Sequence, residues 1–144
     1  VSPATRPAPM PTTTNPATGA PPHTYPNHGP DAVEAALARA AAAFVRWRAT
    51  PVAERAAVVR RAGALLDERR ESYARLMALE MGKPIGAARE EAAKCALTCR
   101  WYADHGPDIV APRTLFEDAS GAGRVRYEPL GPVLAVMPWN FPFW

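Results

Sequence analysis

Cysteine is scarce in this sequence, with two among 144 residues, and histidine nearly so, with three. Cys95 and Cys99 stand four apart in a helical pattern, where Cβ atoms lie about 5–6 Å from each other, against roughly 3.5–4.5 Å in a disulfide. Both therefore read as free thiols in a reducing compartment. On a helix face, with no histidine in the same turns, they read as packing groups rather than nucleophiles. A cysteine pair without a second pair or a His-x-x-x-His has no zinc spacing, so no metal site is predicted. Long apolar runs are also missing. The longest, residues 133–144, is broken by Asn140 and two prolines and falls short of the about 20 residues that span a bilayer, so no membrane association is expected. The first residues carry only Arg6 and no apolar segment, so no secretory signal is expected and the default location is cytoplasmic. No Gly-x-Gly-x-x-Gly occurs, and Gly82-Lys83 lacks the earlier glycine and the following Ser/Thr of a phosphate loop.

Nor does charge of one sign dominate. Seventeen basic residues stand against 14 acidic ones, a net charge of +3, and they are interspersed along helical stretches. That pattern makes solvated helix faces, and without a basic cluster interleaved with aromatics no nucleic-acid partner is expected.

Proline, by contrast, is abundant: nine of the 17 fall in the first 30 residues. Residues 1–14 (VSPATRPAPMPTTT) are poor in large hydrophobes and read as a disordered lead. Residues 15–29 remain turn-like, with NPATG and PNHGP, and Tyr25 suits a short strand between the turns. From Pro30 the pattern turns helical. Val33, Leu37, Ala40, Phe44 and Trp47 recur at steps of four and three, and Pro30 with Asp31 suits a helix start, so a helix is predicted over about 30–48. Thr50-Pro51 repeats the start signal for a second stripe through Val52, Ala56, Val59, Gly63 and Leu66. This stretch runs to Gly82-Lys83-Pro84, a helix end, with a break expected near residues 69–72. A third helix, about 86–105, shows Ala88, Ala92, Cys95, Cys99 and Tyr102 on one side and ends at His105-Gly106-Pro107. Glu90-Glu91 and Glu68 to Glu71 read as solvent faces. Beyond residue 123 the period shortens: Arg124 to Tyr127 alternates, Pro129 to Pro132 breaks it, and Val133 to Met137 is a continuous apolar strand. Helices plus a buried-type strand make an α/β plan that needs further strands to pair with, so the chain reads as the front piece of something longer.

The densest polar-in-apolar feature is Asn140, after that strand and between Trp139 and Phe141. Ligands in α/β proteins bind beyond the carboxyl ends of parallel strands, so an amide there can donate into a site. Aimed at a developing negative oxygen, such a donor is worth about 100- to 1,000-fold in rate. The residues alone favour the plainer alternative, that Asn140 caps or bridges a turn between Pro138 and Pro142.

Five segments together resemble the aldehyde dehydrogenase superfamily: NPATG at 15–19, EAALARAAAAFVRWR at 34–48, ERAAVVRRAGALL at 54–66, LEMGKP at 79–84 and RYEPLGPVLAVMPWNFPFW at 126–144. Within it, KCALTCRWYADH at 94–105 with MPWNFPFW is most similar to the NAD(P)-dependent succinate-semialdehyde dehydrogenases. The resemblance implies an α/β fold with a Rossmann-like cofactor domain, a catalytic domain and a β-arm bridging subunits of a homo-oligomer. It places 15–123 in the mainly helical part of the cofactor domain, 124–132 in the arm, and 133–144 at the start of the cofactor sheet. The implied reaction is thiolate attack on an aldehyde, hydride transfer to NAD or NADP, and thioester hydrolysis by glutamate-activated water. It makes Asn140 the catalytic oxyanion-hole amide, and Met137, Pro138 and Trp139 cofactor-cleft residues. The nucleophile, general base and cofactor-binding lysine have no matching motif here, so the chain alone is expected to be inactive. Two alternatives stand beside this: an aldehyde dehydrogenase of another substrate subgroup, or a small helical interaction module with an aromatic docking tail.

Overall fold

The computed structural model describes residues 10–21 and 23–144. The lead expected to be disordered over 1–14 lies outside the described residues up to residue 9, and its remainder is ordered by pairing. Thr12 forms an antiparallel bridge with Thr24, Thr13 N–H donates to His23 O at 3.0 Å and Tyr25 N–H to Pro11 O at 2.8 Å. The intervening NPATG makes this possible. Asn15 Oδ1 accepts from Ala17 N–H at 2.9 Å, Asn15 O accepts from Gly19 N–H at 2.8 Å, and Gly19 takes a left-handed φ of 71°. The β-branched threonines are thereby turned back onto residues 23–25.

Four helices follow. The first, α1 (Pro30–Trp47), starts with Pro at its head and Asp31 in its first turn. Among the described residues it packs against no other helix or strand, and its apolar side, with Val33, Leu37 and Ala40, faces Pro132, Val133 and Leu134 across a groove. Thr50 does not cap the second helix: its hydroxyl donates back to Arg46 O at 3.3 Å. Pro51 instead precedes α2 (Val52–Glu68). The break anticipated near 69–72 falls at Arg69, where φ is −104° and ψ 15°, and α3 (Arg70–Met81) follows. Gly82, at φ 74° and ψ 21°, ends α3 in the left-handed conformation that a Cβ would disfavour.

The last helix, α4 (Ile85–Ile109), is longer than the 86–105 expected and runs through Pro107. Proline there forfeits one backbone donor in the closing turns, and Val110 N–H still bonds Gly106 O at 3.1 Å. His105 stacks on Trp101 at 4.6 Å, further bracing this end. Ala88, Ala92, Cys95, Ala96 and Ala103 bury the inner face of α4 against α2 and α3. These small side chains let the backbones approach closely. A Cβ placed on Gly63 of α2 would sit 2.8 Å from the Cys99 Cβ. Ala74, Met77 and Ala88 form the core, with Met81 and Phe143 packed on it.

One expectation about strands needs correction. The hairpin expected around 124–132 lies earlier, as β1 (Arg113–Asp118) and β2 (Gly121–Val125), antiparallel with a register shift between Thr114 and Phe116. Its turn is built by Asp118, whose Oδ1 accepts from Ser120 N–H at 2.8 Å, and by Gly121 at φ 142°. Pro129 and Pro132 supply no ladder donors, which keeps their segment out of the sheet. Residues 133–137, read from the sequence as a buried-type strand that needs further strands to pair with, join no ladder among the described residues, and Leu134 is 89% exposed. An apolar sequence makes strand conformation favourable, but only neighbouring strands satisfy its backbone groups.

Candidate functional site

Three of the four residues singled out from the sequence, Pro138, Trp139 and Asn140, lie on one turn, and Met137 immediately precedes it. Phe141 N–H donates to Pro138 O at 3.2 Å, closing a four-residue turn with Trp139 and Asn140 at its centre. Backbone atoms therefore close it, not the Asn140 side chain as the capping alternative required. Met137, Pro138, Trp139 and Asn140 are all exposed, and Trp139 is 77% so. Met137, immediately before the turn, is likewise open, at 46% exposure.

What holds this turn was not anticipated. Lys83, carried back over α4 by the left-handed Gly82, donates from Nζ to the Asn140 carbonyl oxygen at 2.8 Å. Its ammonium also lies 3.8 Å from the centre of the Phe141 ring and pairs with Glu91. Glu91 in turn accepts from Phe143 N–H at 2.8 Å and from Trp144 N–H at 3.2 Å. Reading Glu91 as a solvent-face residue is therefore wrong: its side chain is 1% exposed and that of Lys83 is 8% exposed. The signal was in the spacing. Glu91 stands three residues after Ala88 and four before Cys95, on the inward stripe of α4, where a charge requires a partner. Reading Gly82-Lys83 as a helix end was correct but left the lysine side chain without a role.

The rest of the tail is anchored by aromatic contacts. Phe143 packs at 5.1 Å from the Tyr73 ring, and Lys94 lies 3.5 Å over the ring of Trp144. Burial pushes the Glu91 carboxyl up, but Lys83 and the two backbone N–H groups outweigh it and hold the group below the usual carboxylate range. Glu91 is accordingly a committed anion, not a proton carrier. Burial, with the Glu91 charge adding to it, pushes the Cys95 thiol up, which suits a packing residue and not a thiolate nucleophile. Both cysteines are free. Among the described residues no cluster of three His, Cys, Asp or Glu is arranged to hold a metal, and no helix is long and apolar enough to cross a membrane.

Chemically, the arrangement presents one amide, uncommitted to the fold, on a turn whose backbone is gripped from beneath by opposite charges. Such a group can donate a hydrogen bond to an oxygen approaching from outside.

Comparison with known proteins gives the same direction. Residues 5–144 match the Aldehyde dehydrogenase family. The chain is 46% identical over 132 residues to a probable succinate-semialdehyde dehydrogenase [NADP(+)] of Synechocystis sp., covering 92% of this chain and 29% of that protein. It is 47% identical over 131 residues to the succinate semialdehyde dehydrogenase [NAD(P)+] Sad of Escherichia coli, covering 90% and 28%. Among solved structures, succinic semialdehyde dehydrogenase from Streptococcus pyogenes in complex with NADP+ superposes with a TM-score of 0.85 at 32% identity, over 92% of this chain and 29% of that one. The chain thus spans under a third of the length of these relatives, and its helices and small antiparallel sheet match part of their fold.

Proposed function

Because the chain belongs to the aldehyde dehydrogenase family, we propose that it contributes the oxyanion-binding turn and one wall of the cofactor site to an enzyme that oxidises succinate semialdehyde to the acid. The observation that carries this is the Asn140 turn, with its amide exposed while Lys83 holds the Asn140 carbonyl at 2.8 Å. When a nucleophile adds to an aldehyde carbonyl, charge develops on the oxygen, and a donor held in place beforehand stabilises it without reorganisation. Asn140 is that donor, and Met137, Pro138 and Trp139 line the cleft for NAD or NADP. The cofactor, when bound, accepts the hydride. The relatives named for succinate semialdehyde support the substrate, and those named for NADP(+) and NAD(P)+ support the cofactor.

Two further readings accompany this one. The β1–β2 hairpin, with Leu115 and Phe116 exposed, takes the place of the subunit-bridging arm of a homo-oligomer. The adjacent unbridged thiols suit the cytoplasm. In the test, the purified 144-residue chain is assayed for aldehyde-dependent NADH or NADPH formation beside an enzyme of the relatives' length that carries this segment. The longer enzyme should prefer succinate semialdehyde over an uncharged aldehyde of similar size by roughly tenfold or more in kcat/KM, and the 144-residue chain should be inactive. Turnover by the 144-residue chain, or no aldehyde oxidation by the longer enzyme, overturns the proposal.

A further inference from the structure

Lys83 and Glu91 are buried, oppositely charged and remote in sequence from the turn they hold, and every hydrogen bond they make to the tail goes to its backbone. Lys83 contacts the carbonyl of Asn140 itself at 2.8 Å. Glu91 divides its oxygens: Oε2 takes Lys83, and Oε1 takes the N–H groups of Phe143, at 2.8 Å, and Trp144, at 3.2 Å. A cation thus fixes an acceptor at one end of the segment and an anion fixes two donors at the other. The polarities are complementary, and reversing the segment or sliding it by a residue would leave both charges facing the wrong backbone groups. A buried ion pair is seldom a better stabiliser than apolar residues of the same volume, and its best-attested use is to fix one arrangement among several.

Resting on the reading of Asn140 as an oxyanion donor, we propose that Lys83 and Glu91 are positioning residues: their pair clamps the backbone from Asn140 to Trp144 and so sets the direction in which the Asn140 amide points. The contact at the Asn140 carbonyl bears most directly on this, since it fixes the peptide next to the Cα that carries the amide. The Phe141 ring, 3.8 Å from the Lys83 ammonium, screens that contact from water on one side.

The test is a double-mutant cycle in an enzyme of the relatives' length carrying this segment, with Lys83→Met and Asn140→Ala made separately and together. Lys83→Met should lower kcat by about tenfold or more and leave the cofactor KM within about threefold, because a misplacement near 1 Å costs up to about 100-fold. On the Asn140→Ala background the same substitution should cost less than about twofold, the signature of an effect passing through Asn140. Equal losses on both backgrounds, or no loss on either, overturn the positioning role. If Lys83→Met does not fold, the near-isosteric Glu91→Gln is read through the same cycle with the same outcomes. Amide exchange in the 144-residue chain separates the clamp from the catalytic reading. Phe143 and Trp144 N–H should exchange at least about tenfold faster in Glu91→Gln, and equal protection shows that no clamp exists. Faster exchange together with an Asn140→Ala enzyme of unchanged kcat refutes the oxyanion reading, and with it the positioning role, while leaving the clamp in place.

Discussion

Replacing Gly63 with alanine tests the packing that places Glu91. Gly63 lies against α4, and a Cβ there would lie 2.8 Å from the Cys99 Cβ, 3.0 Å from the Ala96 carbonyl oxygen and 3.6 Å from the Arg100 nitrogen. Non-bonded carbons rest at about 3.5–4.0 Å, so the first contact is short by roughly 0.7 Å or more. None of these atoms can rotate aside, since two are backbone and the third is attached to it. Relief requires the helices to part, and overpacking of this kind costs about 1–3 kcal/mol. The backbone contacts put this case in the upper part of that range, while alanine in a helix interior recovers about 0.8–1 kcal/mol relative to glycine. The net expectation is a loss of about 1–2 kcal/mol in the urea unfolding free energy of the 144-residue chain, followed by far-UV circular dichroism. Gly86→Ala is the control: its Cβ meets nothing within 4 Å, and it should stabilise by up to about 1 kcal/mol. Adding Cys99→Gly, which removes the opposing Cβ, should reveal a coupling of about 1 kcal/mol with Gly63→Ala. A Gly63→Ala chain as stable as the parent would refute the close approach.

Two further outcomes are expected. Gly82→Ala forces a left-handed φ of 74° on an L-residue and drives a Cβ to 2.2 Å from Pro16 Cγ. The backbone strain alone costs about 1–2 kcal/mol, and the Asn15–Gly19 turn should detach, losing protection of the Gly19 amide; unchanged stability and protection would contradict this. Acidification should release the tail, because a carboxylate whose pKa is depressed in the fold contributes stability that is present above its unfolded value of about 4.3 and is lost as pH falls through the folded value. Burial raises the Glu91 pKa, but Lys83, Phe143 N–H and Trp144 N–H outweigh it. Phe143 and Trp144 amide protection should therefore hold near neutral pH and be lost only in acid below the ordinary carboxylate range, and an acid step that persists in Glu91→Gln would assign it to another group.

Local punctuation was the most legible part of the sequence. Gly82 ending α3 and Pro30 opening α1 each follow from one residue's own conformational preference, which needs no knowledge of distant neighbours, and the break at Arg69 was expected from the length of the helical run alone. The turn bearing Pro138 to Asn140 was likewise legible, being marked by two prolines around an isolated polar residue. Glu91 was not read correctly because a charge on an apolar stripe can be either exposed or paired, and its partner depends on Lys83 and on a tail more than 50 residues away. The hairpin was misplaced because its turn rests on Asp118 and Gly121, whereas the more conspicuous prolines at 129 and 132 mark a segment that cannot join a ladder. Residues 133–137 show the reverse case, strand-forming by composition but unpaired among the described residues, since pairing is a property of partners rather than of the segment.

Asn140→Ala in an enzyme of the relatives' length carrying this segment measures the central claim most directly, with kcat and the cofactor KM determined on succinate semialdehyde. The amide deletion should lower kcat by about 100-fold or more and leave the cofactor KM nearly unchanged, as expected for a bond made chiefly in the transition state. An undiminished kcat would mean that the turn presents its amide to solvent alone.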